Sequence, residues 1–235
     1  MQDFDIHTHS IASGHGSRDT IADLAKAAAL RGLSLLGISD HGPATPGSAS
    51  ASYFRSLTHA PKYRCGIRVL YGVELNILDE QGTLDLDSSI LKNMCYTIAS
   101  LHTATYRPGS MAEHTRAYLH AMDHPYVKII GHADDGNFPV DYKELVLCAK
   151  EKDVLLEINN ASLLPHSYRP HAKENCTVLL SYCKEYKQPV ILTSDSHGKQ
   201  SVGDFSCAQK LLEELAFPSE LVITRSSILT HYLWK

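Results

Sequence analysis

The sequence predicts an α/β protein assembled from strand–helix units, and three features lead there. Short, β-branched apolar runs recur along the 235 residues. Longer stretches between them carry apolar residues at helical spacing. No Gly/Ser-rich linker or shift in composition divides the chain, so one domain over residues 1–235 is expected. Several strand runs are almost continuously apolar, as parallel strands covered on both faces require. About seven alternations admit an open doubly wound sheet or a closed β/α barrel. Periodicity alone does not separate seven strands from eight.

The strand candidates, in order, are Phe4–Ile6, Leu33–Ile38, Ile67–Val73, Tyr96–Ser100, Val127–Ile130, Val154–Ile158 and Val190–Thr193. Between the first two, Ile21, Leu24, Ala25 and Ala28 form a helical stripe. Thr20 and Asp23 supply its capping box and Gly32 its stop. The stretch Pro43–Pro61 is rich in Ser, Ala, Gly and Pro and reads as a loop or a poorly formed helix. Ser110 and Glu113 cap a helix running toward Asp123, and Asp141 precedes the stripe Tyr142, Leu145, Val146, Ala149. Further stripes are Cys176, Leu179, Leu180, Cys183 and then Phe205, Ala208, Leu212, Leu215. The tail "ELVITRSSILTHYL" allows a short extra strand and a last helix.

Composition narrows the function classes. Hydrophobic residues make up 43% and charged residues 20%, enough for a sizeable core and ordinary for a soluble protein. The net charge of −4 gives no general field for polyanions, which disfavours a bulk nucleic-acid binder. Six cysteines are scattered without a C-x-x-C pair, and free thiols in a reducing compartment are expected. No signal-like segment or membrane-length apolar run is present, so a cytoplasmic location is expected.

The excess lies in histidine, with fourteen. His7 and His9 end the first strand candidate, His41 the second, Glu74 the third and His102 the fourth. His132 ends the fifth, Asp195 and His197 end the seventh, and His15 lies in the loop after the first. In β/α barrels the carboxyl ends of strands converge on one rim, where active sites are built. Core histidines placed for packing alone would not select strand ends so regularly. Nine donors exceed what one ion takes, so two or three ions are the natural count, with Glu74 as the bridging carboxylate. In H-x-H on a strand both imidazoles project to the same side, so His7 and His9 can grip one ion together. Imidazole and carboxylate without thiolate suit zinc, manganese or iron. Asp40, beside His41, reads as a partner orienting an imidazole, with a purely structural salt bridge or cap nearly as good a reading.

"DIHTHS", "GISDHG", "GVELN", "ASLH", "IGHA", "EINN" and "TSDSH", in this order, resemble the PHP (polymerase and histidinol phosphatase) superfamily over essentially the whole chain. The resemblance is closest to small stand-alone phosphatases of the YcdX type. It implies a distorted (β/α)7 barrel with a trinuclear metal site acting on phosphoesters. It assigns His7, His9, Glu74 and Asp195 to one ion, Glu74, His102 and His132 to a second, and His15, His41 and His197 to a third. Three divalent ions are implied, zinc first and manganese or iron as alternatives. Glu74, Asp195 and His197 are the implied catalytic set. The implied reaction is phosphate monoester hydrolysis by a metal-bridging hydroxide.

Arg169, Arg107 and Asn160, in rim segments, are candidate substrate contacts. Asn159 shares the strand end with Asn160, as a substrate or rim-loop residue. The expected partner is a small phosphorylated substrate, with neither membrane nor nucleic acid. The resemblance carries a homotrimer as the implied assembly, which no residue demands. Histidinol phosphate hydrolysis, a phosphodiesterase or 3′-exonuclease and, further off, an amidohydrolase are the rival activities. Amidohydrolases place a carboxylated lysine where this chain has His102. A regulatory metal-binding module is disfavoured by the intact donor set.

Overall fold

The computed structural model describes residues 2–234. Ten strands and eight α-helices occur among them, in mostly alternating order. The strands are β1 (Phe4–Asp5), β2 (Leu35–Ile38), β3 (Tyr63–Arg64), β4 (Ile67–Tyr71), β5 (Val73–Asn76), β6 (Thr97–Ser100), β7 (Ile129–Ile130), β8 (Leu155–Asn159), β9 (Val190–Thr193) and β10 (Val222–Ile223). The helices are α1 (Ile21–Leu30), α2 (Ala51–Ser56), α3 (Ser88–Leu91), α4 (Met111–Met122), α5 (Tyr142–Lys152), α6 (Ala172–Tyr186), α7 (Ser206–Glu214) and α8 (Ser226–Leu233). No helix of the described residues is long and apolar enough to cross a membrane.

Local chemistry explains the helix starts. Both expected capping boxes form, Thr20 with Asp23 before α1 and Ser110 with Glu113 before α4. The Asp141 carboxylate accepts from Lys143 and Glu144 N–H at the start of α5. Cys176 and Cys183 are buried on one face of α6, and all six cysteines are free thiols. The Pro43–Pro61 stretch holds the short α2 followed by a 3-10 turn.

The strands form two sheets. One runs β1-β2-β4-β3, parallel except for the β3–β4 hairpin, and the other runs β10-β9-β8-β7-β6-β5, parallel throughout. The third expected strand is broken at Gly72, with β4 pairing β2 and β5 pairing β6. Glu74 therefore lies inside β5 and not at a strand end. The sheets meet twice. His41 bridges Glu74, and Thr8 bridges Ser196.

The second junction is reinforced by side chains. Gln2 donates its amide to Phe4 O and Leu192 O, both at 2.9 Å, tying β1 to β9 where no backbone ladder runs. The buried Asp5 carboxylate accepts from Ser194 Oγ at 2.5 Å and from Gly203 N at 2.8 Å. The tail adds β10 beside β9, and Asp3 N–H donates to Thr224 O at 3.1 Å.

One apolar cluster draws on both sheets. Phe4, Leu35, Leu70, Ile98, Ile129, Leu155, Ile191 and Ile223 each come from a different strand, and Leu229 and Leu233 of α8 complete it. Tyr96 lies in this cluster and donates its hydroxyl to Ile6 O at 2.6 Å. Gly37 leaves room for it. A Cβ at Gly37 would overlap the Tyr96 hydroxyl and lie 2.8 Å from Ile6 Cα.

Gly37→Ala is expected to cost about 1–3 kcal/mol through overpacking, measured by urea unfolding. The cost should shrink in a Tyr96→Phe background, where the hydroxyl is gone. Purely additive effects in the double-mutant cycle would contradict this packing.

Candidate metal centre

Glu74 is wholly buried and its two carboxylate oxygens face different imidazoles. Oε1 lies 2.8 Å from His132 Nε2 and 3.2 Å from His102 Nε2. Oε2 lies 2.7 Å from His41 Nδ1, 3.4 Å from His7 Nε2 and 3.5 Å from His9 Nε2. Asp195 Oδ1 faces His9 Nε2 at 3.2 Å and His7 Nε2 at 3.5 Å. Three sets of donors converge tightly: His7, His9 and Asp195; His41, Glu74 and His102; His9, His41 and His197. His15 is exposed and joins by stacking, its ring 4.8 Å from His41 and 5.2 Å from His197.

Three of the imidazoles are held from behind. His7 Nδ1 lies 2.5 Å from Glu157 Oε1, and His102 Nδ1 lies 2.8 Å from Asn76 Oδ1. His9 Nδ1 lies 2.9 Å from Ser13 Oγ, whose own proton goes to Asp40 Oδ1 at 2.8 Å. A carboxylate, a carbonyl oxygen and an already-donating hydroxyl are acceptors here, so each Nδ1 carries the proton. In the neutral rings each Nε2 then presents a lone pair to a carboxylate oxygen. Lone pair against lone pair is repulsive unless a cation lies between them.

The pattern of unpartnered atoms agrees. The buried Nε2 atoms of His7, His9, His41 and His197, and Glu74 Oε2, accept or donate no hydrogen bond. Buried polar atoms are rarely left so. The donors fit divalent cations bound by nitrogen and oxygen.

Electrostatics keep the donors in the required charge states. Burial opposes the charge on Glu74, but His7, His102 and His41 outweigh it and hold the carboxyl well below its usual range. Burial likewise opposes the charge on Asp195, and His7 and Arg169 outweigh it. Burial, then His197 and His41, pushes His9 well below the ordinary imidazole range, leaving it neutral. His7 is the exception. Burial would lower it, yet Glu157, Asp195 and Glu74 together raise it well above.

The backbone is bent to deliver two of these groups. His132 and Asp195 have φ of +24° and +50°, in the region that favours glycine. Each such residue costs of order 1–3 kcal/mol and persists only where the surroundings enforce it. Asp195 is fixed by Arg169 Nη2 at 3.0 Å and Asn159 Nδ2 at 3.1 Å, both on Oδ2, which turns Oδ1 to the histidines. His132 N–H donates to Glu157 Oε2 at 2.6 Å.

The other expected residues are placed as follows. Arg169 is buried, donates also to Ser162 Oγ and Asn159 Oδ1, and forms part of a cavity of about 200 Å³ beside His15, His41 and His102. Arg107 is exposed, and among the described residues it makes no hydrogen bond or ion pair. Asn160 directs its carbonyl to Cys207 and Ala208 N–H at the start of α7, so its side-chain oxygen caps a helix instead of meeting the site. Asp40 reaches an imidazole, but it is His9, through Ser13. Sequence reasoning missed Glu157, Ser13 and Asn76. The signal for Glu157 was a lone acid inside the apolar run "VLLEI".

Glu157→Gln should weaken metal binding 10–100-fold, because it removes the charged acceptor behind His7 and disturbs the bond to His132 N–H. Competition with a chromogenic chelator measures this, with circular dichroism as the check on folding. Unchanged affinity in a folded variant would contradict the role.

The PHP domain family matches residues 5–214. A protein named a probable phosphatase from Clostridium novyi is 40% identical over 219 residues, covering 93% of this chain and 88% of that protein. Another from Caldicellulosiruptor bescii is 39% identical over 222 residues, covering 94% and 91%. The fold is similar to histidinol phosphate phosphatase from Lactococcus lactis, solved with zinc, L-histidinol and phosphate. That likeness has a TM-score of 0.63 at 17% identity and covers 92% of this chain and 95% of that one. With the family pattern matched from Asp5 to Glu214 and relatives aligned over nine-tenths of its length, this chain belongs to the PHP domain family.

Proposed function

We propose that the chain is a metal-dependent phosphatase that hydrolyses phosphate monoesters. The observation that carries this is Glu74, whose two oxygens face two sets of imidazoles with unpartnered inward nitrogens. Names of the relatives from Clostridium and Caldicellulosiruptor favour the same activity. The two sheets are read as parts of one distorted (β/α)7 barrel, supported by the Thr8–Ser196 and His41–Glu74 bridges and the shared apolar cluster.

Three divalent ions are proposed, partitioned as the resemblance implies. His7, His9, Glu74 and Asp195 would hold one, Glu74, His102 and His132 a second, and His15, His41 and His197 a third. The His7–His9–Asp195 and His41–His197 proximities support two of these groups. His41 Nδ1 also lies against Glu74, so this imidazole stands between the second and third. Zinc is the first candidate, since the related fold was solved with it and the donors suit it.

When bound, divalent ions supply Lewis-acid polarisation of the phosphoryl group and a water of lowered pKa. The protein's own part is orientation. Glu157, Asn76 and the Ser13–Asp40 pair hold three imidazoles with Nε2 inward. Arg169 and Asn159 hold Asp195 with one oxygen inward. The cavity beside His15, His41 and His102 gives the substrate a seat against the same imidazoles, with Arg169 in its wall. No serine or cysteine nucleophile is required.

Turnover of p-nitrophenyl phosphate is expected to exceed that of bis(p-nitrophenyl) phosphate and to disappear on chelation, with histidinol phosphate as a further arm. Glu74→Gln should lose bound metal, by elemental analysis, and activity together. Preference for the diester, or full activity with metal retained in the variant, would overturn this function.

A further inference from the structure

The cavity beside the metal centre holds one charged side chain that neither cations nor a phosphoryl group explain. Asp135 forms part of its wall, with Thr103, Tyr168 and Arg169 among its neighbours there. The residue is only 4% exposed. Its Oδ1 accepts from the backbone N–H and the side-chain amide of Asn137, both at 2.9 Å. Its Oδ2 accepts no hydrogen bond among the described residues, and no lysine, arginine or histidine there forms an ion pair with it. Arg169, in the same wall, donates to Asp195, Ser162 and Asn159 instead. Nor does Asp135 belong to any of the three converging donor sets.

Asp135 Oδ2 is not among the sealed polar atoms left without a partner and keeps contact with solvent, so a donor that enters the cavity meets a free, charged acceptor. The phosphoryl group cannot be that donor, because it is itself an anion with acceptor oxygens only. What remains is the rest of the substrate.

We propose that Asp135 is a specificity-determining residue that receives hydroxyl or ammonium donors of the leaving group and excludes leaving groups bearing negative charge. The substrate class is then phosphate monoesters of polyols or amino alcohols, and phosphorylated acids are rejected. This rests on the phosphatase function proposed above and assigns that activity its selectivity. The charge does the selecting, while the Oδ1 contacts to Asn137 serve the turn.

Glycerol 3-phosphate and 3-phosphoglycerate separate the two roles, since they differ by a hydroxymethyl group against a carboxylate. With metal-loaded wild type, kcat/KM for glycerol 3-phosphate should exceed that for 3-phosphoglycerate at least tenfold. Asp135→Asn keeps an oxygen for the turn and loses the charge, so the ratio should fall at least fivefold. Asp135→Ser, which also keeps an oxygen, should move it the same way. A wild type that cleaves both equally, or a ratio unchanged in the folded variants, overturns the inference while p-nitrophenyl phosphate is still hydrolysed. Failure to hydrolyse any monoester, p-nitrophenyl phosphate included, overturns the phosphatase function and this selectivity with it.

Discussion

A carboxylate with no solvent access, facing five imidazoles, is an unstable arrangement unless positive charge lies among them. Glu74 is in that position, and much of the surrounding structure serves to keep it there. Its strand is split at Gly72 so that β4 pairs one way and β5 the other. Glu74 N–H donates to Asp40 O at 3.1 Å, and Gly42 N–H donates to Glu74 O at 2.8 Å. The carboxylate thus stands where the two sheets join, and the histidines reach it from both. His7, His9 and His41 come from the first sheet's strand ends, and His102 and His132 from the second's.

Convergence alone would let the rings rotate or bind protons on the wrong nitrogen. Tying Nδ1 of His7, His9 and His102 to buried acceptors removes both freedoms for those three rings. The acceptors are themselves fixed. Glu157 takes four donors, from His7, Thr193, His132 N–H and Asn159. Asn76 gives its amide to Asp85 Oδ2 at 2.6 Å, which settles which end of its side chain meets His102. Such layered support lets the positive φ values at His132 and Asp195 persist at the point where the groups are needed.

Most of this was legible from residue order, within limits set by physics. Six of the seven expected strands and the five striped helices stand close to where hydrophobic period and capping residues put them, because these signals are local, while the third strand is broken at Gly72. Strand ends marked eight of the nine candidate donors for the same reason, His15 being the loop residue, and of those eight Glu74 lies within its strand. Partnerships between distant residues were less legible. Glu157 is 150 residues from His7, and no pattern within a window connects them. Asn160 has the chemistry of a substrate contact, yet the helix that its oxygen caps begins 46 positions later, at Ser206. Arg169 was read as a candidate substrate contact, and its buried bonds to Asp195, Ser162 and Asn159 became visible only in the fold. Glycine is needed at the break itself, because a Cβ on residue 72 would lie 2.7 Å from the Tyr96 ring.

The bridging role proposed for Glu74 is the point on which the proposed chemistry turns, and it has a direct structural test. Crystals of the metal-loaded protein, measured at the absorption edge of the bound element, would give anomalous difference peaks for each ion. Two peaks are expected in contact with Glu74, one at Oε1 beside His102 and His132 and another at Oε2 beside His7 and His9. A single peak, or ions placed away from the Glu74 carboxylate, would contradict it.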